Sequence, residues 1–155
     1  MDNLSSVIAN GLICSYRDGA RRVRDLSEKL SEDQFWTKPY THGNSFGHLA
    51  LHLTGNLNFF IAAQIADTGY LRDREREFNE SSPPSKEQAL RRLEDTVDLV
   101  VATIEAQTAE TWTEGYQAPG NVDFVKDRFS VFLRCATHFH HHVGQMIYLE
   151  KELFR

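Results

Sequence analysis

The sequence predicts an all-α protein built as a four-helix bundle. Three observations carry that expectation. Apolar residues recur at three- and four-residue spacing in four long segments, which is the signature of helices with one buried face. No segment shows the two-residue alternation of a half-buried strand. The segments are about 23 to 28 residues long, so at about 1.5 Å per residue each spans roughly 35–40 Å and can pack along its full length.

The first helix is expected from about Asn3 to Leu30, with Leu4, Ile8, Leu12, Tyr16, Val23, Leu26 and Leu30 on one face. Gly11 and Gly19 weaken it and allow a bend near Gly19. "SEDQFW" then reads as a turn or one brief extra helical turn. The second helix runs from about Ser45 to Thr68, with Phe46, Leu49, Leu53, Leu57, Phe60 and Gln64 on its inner side and Gly69 as the stop. A polar stretch, "YLRDREREFNESSPPS", follows and reads as a solvated connection of unusual length. The third helix has the clearest start, because Ser85 with Gln88 three residues on makes a capping-box pattern. Leu90, Leu93, Val97, Val100, Val101 and Ile104 form its stripe. Ala109 to Asp127 reads as loop, and the fourth helix runs from about Phe129 to Leu153.

A chain of 155 residues fits one domain, 1–155, with a core of its own. A net charge of −5, with no segment rich in Lys and Arg alone, argues against a nucleic-acid surface. No apolar run reaches membrane-spanning length and no secretory signal pattern opens the chain, so a cytoplasmic location is expected. Cys14 and Cys135 do not make a disulfide framework and read as reduced thiols acting as small apolar residues.

Four of the seven histidines lie in "THFHHHVGQ", at 138, 140, 141 and 142. A helical wheel separates them. With His138 at zero, His142 lies at about 40°, His141 at about 300° and His140 at about 200°. The apolar residues Val131, Phe132, Cys135, Phe139, Val143, Met146 and Leu149 centre near about 80°. His142 therefore falls inside the apolar arc and His138 at its edge, while His140 and His141 point to the surface. Histidines four apart project side by side and can chelate one ion. The second helix offers another such pair, His48 and His52, of which His52 lies nearer the apolar centre. His52, His138 and His142 are thus the candidate metal ligands, with His48 next in line. Three imidazoles leave an open position of catalytic type and suit Zn, Ni or Fe. Neither HxxxH pair contains the Glu of a zinc-protease motif. Asn56 and Gln145 are either supports for the ligands or ordinary interhelical amides. Cys135 and Tyr16 lie near the same region, and core packing is the simpler role for both.

"HLTGNLNFFI" from His52, "RDREREF", and "HFHHHVGQMIYL" from His138 together resemble the DinB/YfiT-like superfamily. Its pattern has one histidine opening an H-L-x-G-N-L segment and two more, four apart, before Gly-Gln; these map onto His52, His138 and His142. The resemblance implies an up-down-down-up bundle, often a homodimer, with one divalent metal ion on the triad. It also implies a small-molecule substrate, because characterised members include transferases and isomerases that use low-molecular-weight thiols such as bacillithiol or mycothiol. The expected function is therefore a metal-dependent thiol S-transferase, with hydrolysis behind it. A non-catalytic metal-binding stress-response protein is the alternative, and a metal-free bundle of hydrogen-bonded histidines is a third reading.

Overall fold

The structure is a computed structural model and describes residues 3–120 and 124–154. The helices are α1 (Asn3–Glu28), α2 (Glu32–Trp36), α3 (Phe46–Leu57), α4 (Arg76–Asn79), α5 (Lys86–Glu105), α6 (Ala109–Trp112) and α7 (Arg128–Leu153). A π-helical segment, Asn58–Ala63, continues α3. Among the described residues there is no strand, only an isolated bridge between Gly115 and Asp127, so the all-α expectation holds.

The four long helices pack around one core, α1 against α5 and α7, and α3 against the same two. Contacts give their directions. Ser15 meets His140 and Lys29 meets Glu150, so α1 and α7 climb together. Arg24 reaches Glu94, and the Leu30 carbonyl accepts from Lys86, so α5 runs against α1. His52 meets His138 while Asn56 meets Arg134, so α3 runs against α7. Tyr16, Phe35, Phe46, Phe132, Phe139 and Met146 are fully buried between them.

Local chemistry sets the helix starts. Ser85 and Gln88 form the expected capping box on α5. Ser31 and Gln34 make a second one, which turns "SEDQFW" into the helical turn α2. Asp127 and Ser130 make a third at the start of α7, with the Ser130 amide donating to Asp127 Oδ1 at 2.7 Å. No break occurs at Gly19. That glycine is buried, and a Cβ there would meet the Phe139 ring at 3.3 Å, so its bareness lets α1 approach α7.

Three expectations need correction. The second helix ends sooner than Thr68, which leaves Gln64 as an exposed cap rather than an inner residue, and its last turn widens where side chains enter its hydrogen-bond ladder. Asn58 Nδ2 donates to the Thr54 carbonyl at 3.0 Å, and the Tyr116 hydroxyl donates to the Phe60 carbonyl at 2.7 Å. Left-handed residues, Asp67 at φ 51° and Gly69 at φ 70°, then turn the chain away. The predicted loop from Ala109 carries α6, started by a Thr108 cap; residues 121–123 of that loop lie outside the described residues. The polar connection is not simply solvated either. It folds back through α4 and buries Glu77 against α3.

Candidate metal centre

The antiparallel contact of α3 with α7 brings the three candidate histidines together. His52 Nε2 lies 3.3 Å from His138 Nε2, and His142 Nε2 lies 3.1 Å from the same atom. One ligand nitrogen from each of the three lies within 4.8 Å of the others. The spacing of 138 and 142 on α7 supplies two rings one turn apart, and α3 supplies the third from across the interface. His52 is buried, whereas His138 and His142 are half-buried, so the cluster sits near the surface on its α7 side.

Two of the rings are held from behind. Gln145 Oε1 lies 2.7 Å from His142 Nδ1, and Gln145 Nε2 faces His141. A carbonyl oxygen accepts only, so His142 carries its proton on Nδ1 and keeps a lone pair on Nε2. Glu77 Oε2 lies 2.8 Å from His52 Nδ1, and Arg72 holds that carboxylate through Nε at 2.6 Å and Nη2 at 2.8 Å. His138 Nδ1 is buried with no hydrogen-bond partner among the described residues, and its ring packs against the other two at centroid distances of 5.1 and 4.5 Å.

The remaining candidates fall elsewhere. His48 is buried, but its Nδ1 pairs with the capping Ser45 hydroxyl at 2.6 Å and its ring meets Trp36 edge-on, so it is not in the cluster. His140 is half-buried against α1, where Nε2 meets Ser15, rather than free on the surface; His141 is exposed as expected. Asn56 accepts from Arg134 at 3.4 Å, an interhelical bond with no direct link to the three rings. Tyr16 is core, donating to the Phe132 carbonyl at 2.7 Å. Cys135 is a buried thiol pushed up to about 11 by burial. Cys14 is exposed, so the apolar-core reading fails for it. Glu77 and Arg72 are the site-linked residues that pattern reasoning missed. A glycine on the helix face that carries His52 and an acid–base pair in the polar connection were the available signals.

Two cavities lie nearby. One of about 270 Å³ is lined by Tyr40, Leu49, Gln145, Tyr148 and Leu149, and so adjoins the amide behind His142. A larger one of about 450 Å³ is bounded by Gly55, Tyr70, Glu77 and Arg92, and none of the three histidines lines it.

Burial, then repulsion from the neighbouring rings, pushes His138 down to about 3. Burial pushes His142 down to about 4 against an opposing effect of Gln145. Both rings therefore stay neutral and able to ligate through the mildly acidic range. Burial raises the Glu77 carboxyl, but its bonds with His52 and Arg72 outweigh that and leave it below its ordinary value. The signs predict how the metal-free protein responds to acid. An unfolded histidine takes up a proton near pH 6.5 while these two do not, so stability falls as pH drops from about 6.5 toward 4. Glu77 adds a second loss below the ordinary range of a carboxylate. Urea titrations of chelator-treated protein across pH 4–7.5 should show that slope, and His142→Ala should flatten it.

The donor set fits a metal ion. Tetrahedral ligands about 2.0–2.1 Å from Zn²⁺ stand roughly 3.3–3.4 Å apart, close to the separations seen. Two imidazole lone pairs facing one another at such distances repel unless a proton or a cation lies between them. Imidazole nitrogens suit Zn, Ni or Fe.

Comparison with known proteins bears on the fold and the family. A crystal structure of a conserved protein from Enterococcus faecalis superposes with a TM-score of 0.76 at 13% identity, covering 99% of each chain, which shows a shared fold. No curated protein matches the sequence. The family model of the DinB superfamily matches residues 15–146, a span that includes all three histidines, and the chain belongs to that superfamily.

Proposed function

We propose that this protein is a metal-dependent enzyme in which His52, His138 and His142 hold one divalent ion, and that it transfers a low-molecular-weight thiol to a small electrophile. The observation that carries the reading is the convergence of three Nε2 atoms from two helices, 3.1 and 3.3 Å apart where they meet at His138. Three protein ligands leave room for another, and the half-buried positions of His138 and His142 leave that side approachable. A divalent ion so held would lower the pKa of a thiol bound beside it toward neutrality.

The chain's own residues supply orientation and room. Gln145 holds His142 from behind and also lines the 270 Å³ cavity, whose Tyr40, Leu49 and Tyr148 suit an apolar body on the electrophile. In the reaction the thiol sulfur bonds the electrophilic carbon, the leaving group departs with its bonding pair, and the thiol proton passes to solvent. The Glu77 carboxylate is not free to act as a base, because Arg72 and His52 already engage it.

Elemental analysis of purified protein, paired with thiol-consumption assays over a panel of thiols and electrophiles, tests this. About one ion per chain and turnover that disappears on chelation and returns with the metal support it. Metal without turnover across the panel would favour the non-catalytic metal-binding reading, and no metal uptake would sink both.

A further inference from the structure

We propose that Glu77, held by Arg72 and admitted by Gly55, is a positioning residue that fixes His52 with its proton on Nδ1 and its lone pair on Nε2, facing His138 and His142. This rests on the metal-site reading above, but the tautomer itself is a property of the metal-free chain.

The Arg72 guanidinium carries only donors, and it donates from Nε to Glu77 Oε1 at 2.6 Å and from Nη2 to Oε2 at 2.8 Å. A carboxylate gripped by this fork is ionised and can only accept. His52 Nδ1 stands 2.8 Å from Oε2, so the ring must donate there. The proton is thereby placed on Nδ1, and Nε2, the atom 3.3 Å from His138 Nε2, is left with its lone pair. Arg72 Nη2 also lies 3.4 Å from His52 Nδ1, but a lone pair on Nδ1 that accepted from it would face the anionic Glu77 Oε2 at 2.8 Å, so the shorter carboxylate contact decides the tautomer.

Gly55 explains how an acid from a connecting segment reaches a histidine inside a helix interface. It stands three residues after His52, one turn along the same face of α3. A Cβ built on it would collide with Glu77 Oε1 and come within 2.8 Å of the carboxyl carbon. The glycine is therefore a gap in the helix surface filled by the Glu77 carboxylate. Glu77 is 6% exposed, and Arg72 is nearly as covered, so the pair is built in rather than draped over the surface. The arrangement is a carboxylate–imidazole pair behind a candidate ligand, which sets ring orientation and raises ligand basicity.

The test has two arms. In the first, ¹⁵N NMR of histidine-labelled, chelator-treated protein at pH 7.5 reads the His52 tautomer, assigned by its loss in His52→Ala. A ring protonated on Nδ1 is expected; a ring protonated on Nε2, or an even mixture, overturns the proposal. In the second, Zn²⁺ affinity is measured by chelator competition for Glu77→Gln and Gly55→Ala, with helix content checked by circular dichroism. Glutamine keeps the shape, but in either orientation it turns an amide N–H against an Arg72 N–H. Alanine at 55 drives the carboxylate from its place. Each variant should bind Zn²⁺ roughly 10–100-fold more weakly with all three histidines present, and wild-type affinity in both would overturn the proposal. Wild-type protein that takes up no Zn²⁺ would defeat the metal reading, and the first arm would still decide the tautomer.

Discussion

Alanine at His138 is expected to abolish the metal binding proposed for the triad. His138 is the hub of the cluster, since its Nε2 faces both His52 and His142. Its removal leaves two nitrogens on different helices with nothing between them. His52→Ala and His142→Ala should do the same to lesser degrees, each weakening affinity beyond the roughly 10–100-fold that loss of an outer hydrogen bond costs. Stability gives an independent readout. Metal at about a thousand times its dissociation constant would stabilise the wild type by about 4 kcal/mol. For a chain of this size that corresponds to a rise of roughly 8–16 °C in Tm. Each alanine variant should lose most of that rise; without metal, His138→Ala and His142→Ala should unfold near the chelator-treated wild type, and His52→Ala below it, because Glu77 loses its imidazole partner. A variant that keeps stoichiometric metal would remove that residue from the ligand set.

Phe139→Ala should give the opposite pattern. The ring is wholly buried one residue from His138, yet it points at α1, where it meets Tyr16 at a centroid distance of 6.5 Å and fills the space beside Gly19. Truncating such a ring typically costs about 3–5 kcal/mol, from lost burial and from the cavity left behind. Calorimetry of the chelator-treated variant should show that loss. Metal content at a temperature where the variant stays folded should be unchanged, because the face of α7 toward α3 is not touched. Loss of metal from folded Phe139→Ala would mean that the two faces of α7 are coupled.

The contrast between neighbours 138 and 139 also separates what is legible in the sequence from what only packing decides. A helix turns by a fixed angle per residue, so the wheel sorts His138 and His142 from His140 and His141 and selects His52 over His48 as the third member of the cluster. The helix start at Ser85 is legible for a related reason, since caps are short-range chemistry, whereas the Asp127 cap of α7 lies in a stretch that reads as loop. The wheel does not say that His140 tucks against Ser15, because that depends on how closely α1 approaches. Nor does it separate Asn56 from Gln145: both are helix-face amides, and only the packed neighbours decide that one meets Arg134 and the other His142. Arg72 and Glu77 are hidden more deeply. They lie in an irregular segment without periodicity, and their charges resemble a solvated surface until the groove over Gly55 is in place. The widened turn at Asn58–Ala63 likewise depends on Tyr116, a residue from a distant segment.

The parts of the centre come from residues 52, 72–77 and 138–142, and the contacts that join these three segments are remote along the chain. Such contacts bear the loop-closure entropy of all the chain between them and form slowly compared with local helix turns. A nascent chain holding α1 through α5 would have His52 but neither of its imidazole partners. The cluster is therefore a late product of folding rather than its seed, and an ion would be acquired by a bundle whose last helix has already docked.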